Sequence, residues 1–204
     1  MIAIVDYGSG NTKAFANIYR RLGIPFVIAA ECGDLLTATR IILPGVGAFD
    51  HVMDRLESSG MRQLLAELVV ERRLPLLGVC VGMQILAHSS EEGTLPGLGW
   101  IDGVVRKFVP APQDHAIRLP HMGWNDVLPK TRDNVFRDFS ADCRFYFLHS
   151  YYFHCSRQED VLARTDYGGN FASAVNSGNI FGVQFHPEKS HHCGIQLLKN
   201  FASL

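Results

Sequence analysis

The tightest constraint on this chain lies in residues 74–86, which read Leu-Pro-Leu-Leu-Gly-Val-Cys-Val-Gly-Met-Gln-Ile-Leu. A short apolar run of the kind that forms a buried strand passes through Gly-x-Cys-x-Gly and continues into residues that suit a helix. Cys80 therefore falls on the corner. Glycines two residues to either side, Gly78 and Gly82, let the backbone turn sharply and let the helix approach the strand. The side chain then projects from the turn, as in a nucleophile elbow, with sulfur in place of the usual hydroxyl. A thiol at a helix N-terminus meets the positive end of the dipole and free N–H groups, both of which favour thiolate. The competing reading is a buried cysteine acting as a small hydrophobe.

A thiolate nucleophile works with a histidine that another group orients. Residues 180–188 read Ile-Phe-Gly-Val-Gln-Phe-His-Pro-Glu, an apolar strand ending in His186-Pro187-Glu188. In an extended segment the side chains at i and i+2 leave on the same side, so Glu188 is expected beside His186, with Pro187 stiffening the link. Together with Cys80 this makes a Cys-His-Glu set. His-Pro-Glu alone is also what a structural histidine at a strand end looks like.

The rest of the chain sets these two segments in an α/β frame. Strands are expected at 1–5, 25–29 and 40–43, a helix from the Asp6 to Asn11 loop to about Leu22, and helical patterning from Phe49 to Arg73 broken at 58–60. Gly8-x-Gly10 after a strand invites a dinucleotide reading, but Lys13 stands where the third glycine belongs. Pro44-Gly45-Val46-Gly47 is a glycine-bracketed turn. Residues 89–99 read as a loop, short strands follow near 104–109, 117–119, 145–148, 161–165, 172–175 and 180–185, and a last helix spans about 193–201. The expected architecture is a mixed sheet, mainly parallel at its centre, with helices on both faces. Cys80 would sit at the carboxyl end of a central strand, where such sheets bind ligands.

Composition narrows the partners. At 204 residues and 47% hydrophobic content the chain suits one domain, 1–204, with a substantial core. A net charge of −1 without basic runs offers no footprint for nucleic acid or a membrane surface. A basic leader and a membrane-length apolar run are both lacking, so a cytoplasmic protein is expected. Five scattered cysteines, Cys32, Cys80, Cys143, Cys155 and Cys193, without C-x-x-C spacing, are expected to be reduced thiols. His186, Glu188, His191, His192 and Cys193 crowd together, yet match no zinc-ligand spacing, and no metal is expected.

The segments 78–84 and 182–188 resemble the two signatures of the class I, triad-type glutamine amidotransferases. Asp6 to Asn11, Leu43 to Phe49, Pro120 to Asn125, Phe147 to Tyr151 and Pro187 to Ser190 are similar, in order, to the glutaminase subunits of imidazole glycerol phosphate synthases. The resemblance covers essentially the whole chain. It implies the class I amidotransferase fold and a glutaminase that hydrolyses L-glutamine to glutamate. Ammonia would pass to a (β/α)8 cyclase subunit, in a heterodimer that makes imidazole glycerol phosphate and aminoimidazole carboxamide ribotide in histidine biosynthesis. Cys80, His186 and Glu188 are then the triad; no cofactor and no metal are implied. The resemblance places Val46 and Gly47 in the oxyanion hole, to which an elbow adds the N–H of Val81. It places Gln84, His149, Ser150 and Tyr151 on the bound glutamine. It points Asn11, His121, Met122, Gly123, Trp124, Asn125 and Lys189 at the cyclase.

Other readings share these motifs. A related amidotransferase supplies ammonia to a different synthetase in surface-sugar biosynthesis. From another class, the chain would be a non-catalytic binding subunit or a cysteine peptidase on a similar fold; the complete triad speaks against the first, and Gln84 with the 44–47 loop against the second.

Overall fold

Continuous apolar runs become strands buried on both faces, and these set the centre of the molecule. The computed structural model describes residues 1–109, 118–140 and 143–204. Strands β1 (Ile2–Val5), β2 (Phe26–Ala29), β3 (Arg40–Gly45) and β4 (Leu76–Cys80) alternate with helices α1 (Thr12–Leu22), α2 (Cys32–Leu35), α3 (Phe49–Ser58) and α4 (Arg62–Ala66). A second half follows: α5 (Val81–Gln84), β5 (Ser89–Ser90), β6 (Gly103–Lys107), β7 (His121–Asp126), β8 (Leu128–Pro129) and β9 (Arg144–His149). The chain ends with β10 (Tyr151–Cys155), β11 (Val161–Asp166), β12 (Asn170–Ser177), β13 (Ile180–Val183) and α6 (His191–Phe201).

Among the described residues the main sheet has eleven strands, in the order β2-β1-β3-β4-β13-β12-β10-β6-β5, with β11 beside β12 and β8 beside β11. From β2 to β13 the neighbours are parallel; β12, β10 and β6 continue antiparallel. β4 is therefore central, with Gly45 opposite Cys80 on one side and Val183 opposite Val79 on the other. Helix α1 shows why the flanking helices form. Asn11 caps it by accepting the Ala14 N–H at 3.2 Å, Gly23 ends it in the left-handed region, and its buried face of Phe15, Ala16 and Tyr19 packs against β1, β2 and α6. Tyr19 OH donates to Leu198 O at 3.2 Å, tying the first helix to the last.

Several local expectations change. The helical run after Gly60 closes in a π-turn at Glu67–Glu71, and the helix after the elbow is one turn long. The loop at 89–99 contains β5, and α6 starts two residues earlier than its pattern suggested. The strand expected at 117–119 begins outside the described residues, and Arg118 and Leu119 are not in a strand. The strand near 145–148 leaves the main sheet and pairs instead with β7, forming a two-stranded ribbon.

The expectation of five reduced thiols is also corrected. Cys143 and Cys193 are joined in a disulfide with Cα atoms 5.7 Å apart, while Cys32, Cys80 and Cys155 are free. The two partners are 50 residues apart without a spacing motif, and meet because the residue leading into β9 lies on the first turn of α6.

The corner between β4 and α5 depends on its glycines through contact distance. A Cβ on Gly82 would lie 2.0 Å from Leu43 O, and one on Gly78 would lie 2.5 Å from Gly82 O. Both obstacles are backbone atoms, which no rotamer change removes. Gly82→Ala is expected to cost roughly 3 kcal/mol by overpacking and so to lower Tm by roughly 6–12 °C. Calorimetry checks this, and an unchanged Tm would mean the corner yields freely.

Candidate active site

Cys80 ends β4 and caps α5 at φ 56°, ψ −114°, a left-handed conformation that a non-glycine residue holds only where its surroundings impose it. Its Sγ lies 4.0 Å from Leu148 O and 3.9 Å from Gln184 Nε2. His186 follows β13, the strand beside β4, and its Nδ1 sits 2.8 Å from Glu188 Oε1, with both side chains buried. The pairing arises differently from the extended i, i+2 arrangement expected. Pro187 opens a 3-10 turn, Pro187–Lys189, that folds Glu188 back onto the ring. The backbone around the ring is fixed as well: His186 N–H donates to Tyr146 O at 2.8 Å, and Ser190 Oγ donates to His186 O at 2.6 Å.

Burial alone would lower the basicity of His186. The neighbouring Cys80 sulfur and the hydrogen-bonded Glu188 carboxylate outweigh it and raise the ring to about 10. With Nδ1 turned to Glu188, Nε2 is left for the sulfur.

Cys80, His186 and Glu188 open into one cavity of about 590 Å³. Val46, Gly47, Val81, Gln84, His149, Ser150 and Tyr151 line it too, with Asn11 and Lys189 among its walls. A volume in this range takes a small molecule. Val81 is the first residue of α5, so its N–H has no intrahelical partner. Across the cavity Val46 follows β3, but its N–H donates to Ser9 Oγ at 3.0 Å, and the same hydroxyl donates back to Val46 O. A model of the glutamine amidotransferase class-I family matches residues 3–203.

The chain belongs to the class I glutamine amidotransferases.

The imidazole glycerol phosphate synthase subunit HisH of Bdellovibrio bacteriovorus is 56% identical to this amidotransferase over the whole of both chains. The protein of the same name from Leptospira interrogans is 54% identical, again over both full lengths. Among solved structures, a glutamine amidotransferase matches all of both chains with a TM-score of 0.75 at 20% identity. The PurLQS structure from Thermotoga maritima matches with a TM-score of 0.67 at 20% identity, over 99% of this chain and 97% of that one.

The amidotransferase's structure divides the segment expected to face a partner. Met122 and Trp124 are exposed, on the same face of β7, but His121 is 3% exposed and Asn125 half-buried, bonded to Asp166 O at 2.9 Å. Gly123 is half-buried between them. His121 therefore cannot present its ring to a partner, because successive residues of a strand point to opposite sides. Asn11 and Lys189 are exposed as expected. Gln84 is buried, its Nε2 donating to Tyr151 O and Gln184 Oε1, each at 3.1 Å. Cys143, His192 and Cys193 bring three donor atoms within 4.8 Å of one another, but two are the sulfurs of the disulfide.

Sequence reasoning assigned no role to three groups that the amidotransferase fold brings to the site. Gln184, wholly buried beside Cys80, could have been found as the one amide inside the apolar run 180–185. Ser9 holds the Val46 peptide, and Glu92 lines the cavity while accepting the Phe49 N–H at 2.9 Å; neither stands out in the sequence.

Proposed function

We propose that this chain is the glutaminase subunit of an imidazole glycerol phosphate synthase, with Cys80, His186 and Glu188 as its triad. The observation carrying the chemistry is the Cys80 corner facing the His186–Glu188 pair across one cavity. The relatives matched at full length carry the name of that synthase, which selects the histidine pathway as the destination of the ammonia. The whole chain, 1–204, acts as one amidotransferase domain. It works in the cytoplasm, and among the described residues no helix is long and apolar enough to cross a membrane.

In this reading Cys80 thiolate attacks the side-chain carboxamide carbon of L-glutamine, and the carbonyl electrons move onto oxygen. Val81 N–H meets the oxyanion, joined by the Val46–Gly47 segment once Ser9 releases the Val46 N–H. Collapse of the tetrahedral intermediate expels ammonia, which takes its proton from the His186 imidazolium. A water, losing its proton to the now neutral His186, hydrolyses the γ-glutamyl thioester and releases glutamate and free thiolate. Glu188 holds the ring in the Nδ1–H tautomer throughout. The cyclase seats on the mouth of the cavity, against Met122, Trp124, Asn11 and Lys189, and receives the ammonia there.

The test is glutamate and ammonia release from L-glutamine with and without the cyclase and its ribonucleotide substrate. Turnover is expected to rise when the cyclase and that substrate are present together. A cyclase that neither binds nor stimulates the chain would overturn the histidine-pathway assignment while leaving the thiol chemistry open to labelling by an electrophilic glutamine analogue.

A further inference from the structure

His121 lies directly opposite His149 across the β7–β9 ribbon, and the two rings meet at 3.1 Å, Nδ1 to Nε2. Each end of this contact is anchored by a backbone group whose hydrogen-bonding role is not open to choice. At one end His149 Nδ1 is 2.8 Å from Tyr151 O, which only accepts, so the proton is on His149 Nδ1 and its Nε2 is a bare acceptor. At the other end Asp126 N–H donates to Asn125 Oδ1 at 2.8 Å, which sets the amide so that Asn125 Nδ2 faces His121 Nε2 at 3.3 Å. His121 Nε2 must then accept and its Nδ1 donate. The protons form a single directed series from Asn125 through His121 and His149 to the Tyr151 carbonyl.

That carbonyl is also where Gln84 is held, through its Nε2 at 3.1 Å, and His149, Tyr151 and Gln84 all line the cavity. We propose that His121 is a positioning residue for the glutaminase reaction. Its Nδ1–H holds His149 in the Nδ1–H tautomer, and thereby fixes the Tyr151 carbonyl and the Gln84 carboxamide that shape the glutamine subsite. If His149 took the other tautomer, its Nδ1 lone pair would face the Tyr151 oxygen, and two acceptors 2.8 Å apart repel. Tyr151 O and Gln84 would have to move. Burial keeps both rings neutral at working pH, pushing His121 down to about 4 and His149 to about 3, so the relay acts through tautomer and not through charge. His121 is also stacked between Phe147 at 4.6 Å and Tyr167 at 3.8 Å, which holds its ring plane in the ribbon.

This inference rests on the glutaminase reading, and the experiment separates the two. In the assembled complex, His121→Phe keeps an aromatic ring between Phe147 and Tyr167 but removes the donor. The expected result is a rise of about tenfold in KM for glutamine, the effect of one buried hydrogen bond, with kcat changed by less than about threefold on the same scale. His121→Asn, whose amide N–H lies near the place of Nδ1, is expected to restore most of the loss. The second readout is the tautomer itself: ¹⁵N shifts of histidine-labelled protein should show His149 protonated at Nδ1 in the parent and a mixture in His121→Phe. A parent His149 protonated at Nε2 would overturn the proposal even if no variant folded. So would His121→Phe with parental KM and an unchanged His149 signal. Absence of glutamine turnover in the parent complex would instead overturn the glutaminase reading.

Discussion

Cys80→Ser is expected to lower glutamine hydrolysis by about 10⁴-fold or more, the loss typical of removing a nucleophile that acts as a unit with its base. The reason lies in the raised basicity of His186. With its ring held at about 10 beside the thiol and Glu188, the imidazole is already protonated at neutral pH and poised to donate. A thiolate supplies its own negative charge under those conditions. A serine hydroxyl carries no charge at that pH and would need His186 as a free base to take its proton, while Glu188 still favours the protonated ring. Glutamate release measured in the assembled complex checks this, with binding of glutamine retained as a control for folding. Turnover within tenfold of the parent would sink Cys80 as the nucleophile.

Glu188→Gln is the second large effect, with an expected loss of about 10²–10³-fold in kcat, by analogy with carboxylates that hold a catalytic histidine in one tautomer. The carboxamide can present N–H as well as oxygen to Nδ1, and it no longer stabilises the imidazolium. His186 should then lose its proton at a lower pH than in the parent. Since the protonated ring gives the departing ammonia its proton, the alkaline limb of the kcat profile is expected to move to lower pH in the variant. Stability has a matching signature. A ring whose folded pKa is raised from 6.5 to about 10 contributes stability that is fully present below about 6.5 and is lost as pH climbs through about 10. Above the carboxylate range, the gap in Tm between parent and Glu188→Gln should be widest near pH 6 and close toward pH 10. A pH–rate profile with an unmoved alkaline limb would show that Glu188 does not set the basicity of His186.

What could be read in the sequence was whatever the chemistry compresses into neighbouring residues. Gly78, Cys80 and Gly82 announce the corner because each glycine answers a backbone contact that a side chain would block, and His186 and Glu188 are joined by one turn. The central strands were legible for the same reason, since β1, β3 and β4 are largely apolar runs, but their order in the sheet was not. The β7–β9 ribbon was not. In His-Met-Gly-Trp-Asn-Asp the polar His121 and Asn125 point inward while Met122 and Trp124 face out, the reverse of the polarity that identifies a half-buried strand. The resemblance points the whole 121–125 segment at a partner, and the strand turns His121 inward instead. The Cys143–Cys193 bond, the Ser9–Val46 contact and the position of Gln184 beside Cys80 all join residues 37 or more positions apart. Nothing local encodes such meetings; they follow from the strand order.

That strand order has a consequence for how errors in folding would show. The Val46 loop, Cys80 and His186 leave the ends of β3, β4 and β13, three adjacent parallel strands. Their spacing is the spacing of the sheet, about 4.8 Å from strand to strand. A slip of β13 by one residue would displace His186 by about 3.3 Å along the strand and turn every side chain on it to the other face. The apolar run 180–185 would still find an apolar surface, so such a form would be compact and silent. Catalysis thus doubles as an internal gauge of register, legible only when three strands have paired correctly.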